Sequence, residues 1–139
     1  MLVAGTVTGE GGTDGVLWSS PDGKTWSASE PEAPFAGPTS EGLRGIDVDG
    51  ARVVVTGRDG DDLTVFTSAD GGSTWHQHTA ESFGGPDYQT AYPIIVGDEA
   101  ILLATTGRVP RCGSGRRPES STPYATNRLS PWGGSRLVA

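Results

Sequence analysis

Apolar positions fall into short runs separated by glycine, proline, aspartate and serine, the punctuation expected of strands joined by turns. Val3-Ala4-Gly5, Val53-Val54-Val55-Thr56-Gly57 and Ile101-Leu102-Leu103-Ala104-Thr105-Thr106-Gly107 are apolar runs that each close on a glycine. Gly45 to Val48 predicts a short strand, Asp49-Gly50 a two-residue turn and Arg52 to Thr56 the returning strand, since Asp-Gly suits the positive φ of a tight hairpin. Leu63 to Thr67 predicts a third strand, Ser68 to Thr74 a turn and Trp75 to Thr79 a fourth strand. No helical pattern is present, and 22 Gly and 10 Pro in 139 residues oppose long helices, because glycine costs backbone entropy and proline interrupts the hydrogen-bond ladder. The class is all-β.

Two landmarks repeat with one period. Leu17-Trp18-Ser19-Ser20-Pro21-Asp22-Gly23-Lys24-Thr25-Trp26 is echoed 48 to 49 residues later by Val65-Phe66-Thr67-Ser68-Ala69-Asp70-Gly71-Gly72-Ser73-Thr74-Trp75. The glycines that close the apolar runs, Gly5, Gly57 and Gly107, are 52 and 50 residues apart. A repeat of about fifty residues with four strands fits a β-propeller blade better than a helical solenoid. The proline-containing stretches Glu30–Pro38 and Ser82–Tyr88 are expected to connect blades over a surface, since proline cannot donate to a ladder.

The Ser-x-Asp turn is physically self-supporting. Its Ser and Asp oxygens can accept backbone N–H groups, glycine supplies positive φ, and the tryptophan returns into the packed layer between sheets. This segment resembles the Asp-box, or bacterial neuraminidase repeat, of sialidase-like β-propellers. Ser68, Asp70, Gly72, Thr74 and Trp75 match the pattern at every defined position, and Ser20, Asp22, Gly23, Thr25 and Trp26 match a form one residue shorter. The resemblance covers about residues 1–107. It implies a partial β-propeller of about two four-stranded antiparallel blades plus the start of a third, followed by a disordered C-terminal tail. The fold occurs in sialidases, other glycoside hydrolases, sortilin-like receptors and photosystem assembly factors, and fold alone does not choose among them. In that family the box lies on the perimeter, away from the axial cleft, so these ten residues are expected to be structural.

The function implied is a noncatalytic propeller fragment whose complete form is a binding or scaffold module with a glycan or protein ligand. The alternative is a fragment of a secreted, sialidase-like glycoside hydrolase, inactive as this chain alone. Such an enzyme needs bidentate cations for a sugar carboxylate, a Tyr/Glu nucleophilic pair and an acid. Residues 1–107 offer only Arg44, Arg52 and Arg58 as arginines, and Arg52 and Arg58 read as solvated strand-end charges. Tyr88 and Tyr92 are expected to pack between blades. Asp59, Asp61 and Asp62 are the candidate calcium ligands, against an exposed acidic hairpin that lacks further oxygen ligands. Asp47-Val48-Asp49-Gly50 starts like a calcium loop but has no distal Glu and reads as a turn. His76 and His78 share one face of a strand without a third ligand in view. The glycine-rich Thr8–Gly15 stretch lacks the Lys-Ser/Thr of a phosphate loop and carries two acids.

Charge divides the chain. Residues 1–107 hold four basic and sixteen acidic groups, net -12, whereas 108–139 hold six Arg and one Glu, net +5, within a total of -7. The acidic body leaves no electrostatic footprint for nucleic acid, one Cys leaves no internal disulfide, and no run approaches the roughly 18 apolar residues of a membrane span. Residues 108–139 are expected to form a basic, low-order tail, because little surface there can be buried. The expected repeat also breaks after Gly107, which out-of-frame translation would explain; the functional alternative is an arginine-rich segment attracting an acidic partner. A chain that opens directly into a strand places the expected gene start upstream. No signal peptide is visible, although the resemblance implies an extracellular or cell-envelope parent. Two blades cannot close a ring, so missing blades or another copy of the chain are the expected partners. The open faces are expected to carry Val53, Val55, Ile101 and Leu103.

Overall fold

The computed structural model describes residues 1–9, 12–28, 34–35, 40–59, 62–78, 88–107, 125–129 and 137–138. All regular structure among them is β: β1 (Leu2–Gly9), β2 (Gly12–Ser19), β3 (Ser27–Ala28), β4 (Ser40–Asp49), β5 (Arg52–Asp59), β6 (Asp62–Ser68), β7 (His76–His78), β8 (Tyr88–Val96), β9 (Glu99–Gly107), β10 (Ala125–Leu129) and β11 (Leu137–Val138). Consecutive strands pair antiparallel in three sheets, in the orders β1-β2-β3, β4-β5-β6-β7 and β8-β9-β10-β11. The expected tail contributes only β10 and β11 to the described residues. The rest of that expectation, and the stretches 29–33 and 79–87, lie outside them.

The sheets stack face to face in sequence order. Side chains alternate across a strand, and β5 has apolar residues at successive positions, so it can be buried on both faces. Val53 and Val55, with Phe66 of β6, pack with Leu17, Leu43 and Phe35 and with the partly buried Leu2 and Ala4 of β1. Val54, with Leu63 and Val65, packs on the other side with Ala91, Ala100, Leu102 and Ala104 of the third sheet. Val53, Val54 and Val55 are completely buried. This corrects the expectation that Val53 and Val55 lie on an open face: the first sheet covers them. Leu103 does face outward, and Ile101 is half-buried.

The connecting stretch around Phe35 also differs from expectation. Phe35 is 1% exposed and lies edge-on to Phe66, with centroids 5.6 Å apart at 78°, and to Trp75, at 5.3 Å and 88°. An aromatic ring buries more apolar area than a surface connection needs, and here it fills the space between the first two sheets.

Polar links join the second and third sheets. The buried Thr56 hydroxyl donates to the Ala91 carbonyl at 2.7 Å, and the Ile95 amide donates to Asp47 Oδ2 at 2.6 Å. Arg52 donates through Nη1 to the Gly97 carbonyl and through Nη2 to Asp98 Oδ1, each at 2.7 Å. The hairpin turn after β4 is Gly50-Ala51, between the paired Asp49 and Arg52, one residue later than Asp49-Gly50. Gly97-Asp98 occupies the same place after β8. Gly50 and Gly97 have φ of +60° and +59°, the positive value that a type II′ turn requires at its first central position.

These hairpins fix the repeat. Val96 and Glu99 flank the third-sheet turn as Asp49 and Arg52 flank the second, so Ala104, not Gly107, stands where Gly57 does. Pro93 fits inside β8 because β8 is an edge strand, where a missing N–H breaks no ladder.

Candidate functional site

The two Ser-x-Asp turns occupy the same place in consecutive sheets, the first between β2 and β3 and the second between β6 and β7. In the second turn the Gly72 amide donates to Ser68 Oγ at 2.8 Å, and Ser68 Oγ donates to Asp70 Oδ1 at 2.8 Å. The Ser73 and Thr74 amides donate to the same Oδ1 at 3.0 and 2.8 Å, while the Thr74 hydroxyl donates to Oδ2 at 2.7 Å. In the first turn the Gly23 amide donates to Ser20 Oγ at 2.8 Å, Ser20 Oγ to Asp22 Oδ1 at 3.2 Å, and the Lys24 and Thr25 amides to Asp22 Oδ1 at 2.8 Å each. The serine-to-glycine and aspartate-to-amide contacts therefore agree although the first turn is one residue shorter. The extra residue is absorbed by the Gly71-Gly72 pair, both at positive φ, and the Gly71 amide donates to the Ala51 carbonyl at 2.8 Å. That bond ties the turn to the neighbouring hairpin.

The electrostatics follow from the donors. The Thr74 hydroxyl and then its amide, helped by Ser68 and Ser73, stabilise the Asp70 carboxylate and hold its pKa down at about 2. Asp22 is also lowered, first by the Thr25 amide and then by that of Lys24. Both carboxylates are thus occupied in organising backbone, which is an architectural use. Trp75, half-buried, packs on Phe35, whereas Trp26 at the matching place is 39% exposed. The expectation that the tryptophan enters a layer between sheets is met for Trp75 and not for Trp26, because no sheet among the described residues lies beyond the first.

The other candidates are dispersed. Arg58 lies within β5 and is 8% exposed, which corrects its reading as a solvated charge; Arg52 is engaged by Gly97 and Asp98, and Arg44 is exposed. Arg52 and Arg58 are at opposite ends of one strand, a separation of about 20 Å at ~3.3 Å per residue. Tyr92 points outward, 54% exposed, which corrects its expected packing between blades; it alternates with the inward Ala91 and Pro93. Tyr88 begins β8. Asp59 and Asp62 pair across a hairpin, and Asp61 lies outside the described residues. Asp47 accepts from its neighbour Val48 and from Ile95, so it is a link between sheets. His78 Nε2 is 2.7 Å from Thr67 Oγ1, and its pKa is lowered first by burial and then by the charge of His76. No group of three His, Cys, Asp or Glu able to hold a metal converges among the described residues.

Sequence reasoning missed Phe35 and the Arg52–Asp98 pair. The only sequence signal for Phe35 was one large apolar residue within a proline-rich connection. No family model, curated protein or solved structure matches the chain.

Proposed function

We propose that the chain is a noncatalytic part of an Asp-box β-propeller, whose complete form is an extracellular or cell-envelope module that binds a glycan or protein ligand. One observation carries this reading: two equivalent Ser-x-Asp turns lie between the third and fourth strand positions of successive sheets that stack face to face. Among the described residues the first sheet has no strand that corresponds to β4 and β8, so its completion needs a strand beyond those described. In a propeller this place is nearest the axis, and the turns lie on the perimeter. Ligand binding then belongs to the complete ring, formed when missing blades join these. The basic segment 108–139 holds no Asp and so no Ser-x-Asp turn, although β10 and β11 take the third and fourth strand places of the third sheet; the departure reflects either out-of-frame sequence or an acidic-partner contact.

The test is to read the flanking DNA in all frames, express the continuous product and determine its structure. A ring of further sheets with the same turn is the expected result; a closed two- or three-layer sandwich overturns the propeller reading. The same product is assayed with a fluorogenic sialoside. Turnover would replace the binding-module reading with the glycoside-hydrolase alternative, and a ring that binds a glycan or protein without turnover supports the proposal.

A further inference from the structure

The stack has direction. Each sheet has a front face that receives the preceding sheet and a back face that receives the next. In the second sheet the front carries Val53, Val55 and Phe66, and the back carries Val54, Leu63 and Val65. The hairpin registers place Ala100 and Leu102 of the third sheet where Val53 and Val55 stand, and these too face the preceding sheet. Aligning Ser20 with Ser68 makes Val3 and Trp18 the counterparts of the paired Val55 and Phe66.

The two ends of the stack are therefore unlike. Among the described residues nothing covers the front of the first sheet, with Val3 46% and Val7 48% exposed beside Trp18, and with Trp26, the counterpart of Trp75. The third leaves its back open, with Tyr92 54%, Ile94 48%, Val96 55% and Leu103 37% exposed. A back-on-front contact already occurs twice within the chain. Alternating apolar side chains on a strand face mark a face shaped to be covered.

We propose that a second copy of this chain docks head to tail, the back of the third sheet of one copy on the front of the first sheet of the next. The interface is heterologous, joining different surfaces of the two copies. This docking is of the 139-residue chain by itself and rests on the two observed sheet contacts; in a complete ring the missing blades would take the same two faces, so ring closure is read on the longer product and self-association on this chain.

The experiment uses the full 139-residue chain. Sedimentation velocity and light scattering are measured over about a hundredfold range of concentration, because mass action makes association concentration-dependent. The chain is expected to assemble as concentration rises. Val3→Glu/Val7→Glu blocks the front, Ile94→Glu/Val96→Glu blocks the back, and each variant alone is expected to be monomeric. Mixed, they retain one good front and one good back and are expected to form a one-to-one dimer that grows no further.

A monomeric native chain throughout, self-association of either folded variant, or failure of the folded variants to pair overturns the proposal. Circular dichroism checks folding. If glutamate unfolds a variant, Val3→Thr/Val7→Thr and Ile94→Thr/Val96→Thr replace it, since threonine keeps strand propensity while adding a hydroxyl. In the native chain, dilution is also expected to shift tryptophan emission to the red as Trp18 and Trp26 are uncovered. Unchanged emission across dissociation counts against the proposed face.

Discussion

Replacing Phe35 tests whether the first two sheets are joined by one aromatic wedge. The side chain is 1% exposed and meets Phe66 and Trp75 edge-on. Phe35→Ala removes its buried ring and leaves a cavity, for an expected loss of about 3–5 kcal/mol. Two edge-to-face contacts at about 0.5–1.5 kcal/mol each supply about 1–3 kcal/mol beyond burial. Phe35→Leu keeps much of the apolar volume and is expected to lose about 1–3 kcal/mol. Urea unfolding is followed by circular dichroism, which depends on none of the four tryptophans and stays readable when Trp75 is replaced. With a slope of about 2 kcal/mol per molar urea, the alanine variant's midpoint falls by roughly 2 M and the leucine variant's by roughly 1 M. A double-mutant cycle with Trp75→Leu is expected to show coupling of about 0.5–1.5 kcal/mol. If both Phe35 variants lose less than about 1 kcal/mol, the wedge is wrong. A leucine variant as stable as the native chain would refute the aromatic part of the reasoning, and equal losses for leucine and alanine would refute the burial part.

The remaining expectations concern protons and one hydrogen bond. Asp70 has a folded pKa of about 2 against an ordinary 3.8; its contribution is present above the ordinary value and fades as pH falls through about 2. Asp70→Asn is expected to flatten that acid limb in urea titrations at a series of pH values, and an unchanged limb would count against it. His78 is lowered from 6.5, so its neutral form favours folding and stability declines as pH falls below that value; His78→Gln should remove this decline, read by the same titrations. Thr56→Val deletes the 2.7 Å bond to Ala91 from a fully buried site and is expected to cost about 0.5–1.5 kcal/mol in urea unfolding. Native-state hydrogen exchange should show the β8 amides losing protection, whereas protection lost only in β1 would mean that the bond does not serve the second interface.

Strands and turns were legible where residue type dictates backbone. The run Val53-Val54-Val55 dictates a strand, though not the first sheet that covers Val53 and Val55, and the Ser-x-Asp turns carry their own donors and acceptors, so strand and turns appear at their sequence positions. Contacts between sheets were less legible because they join residues with no common local pattern. Arg52 meets Asp98 across 46 positions, and Asp47 meets Ile95 across 48. Nothing beside Arg58 in the sequence announces its burial; the face it occupies is set by counting from Val54 and Thr56 and by the arrival of the third sheet. The candidate site was visible as a turn, but its architectural use follows from finding the carboxylate oxygens already engaged by protein donors.

The two repeat lengths of the first pair of sheets express one geometry. Gly5 pairs with Val16 and Gly57 with Thr64, leaving ten residues inside the first hairpin and six inside the second. The first hairpin is therefore four residues longer, two on each strand, which is why the glycines are 52 apart and the serines only 48. An antiparallel ladder alternates hydrogen-bonded and non-hydrogen-bonded pairs, and its side chains alternate faces. A two-residue turn needs the same kind of flanking pair in both hairpins, so length can change there only in steps of two per strand. Four residues in total is the smallest extension that keeps the same kind of flanking pair, and Leu17, like Val65, still faces the next sheet. The unequal spacing of the two landmarks therefore comes from one longer hairpin tip, and the repeat's faces are unchanged below it.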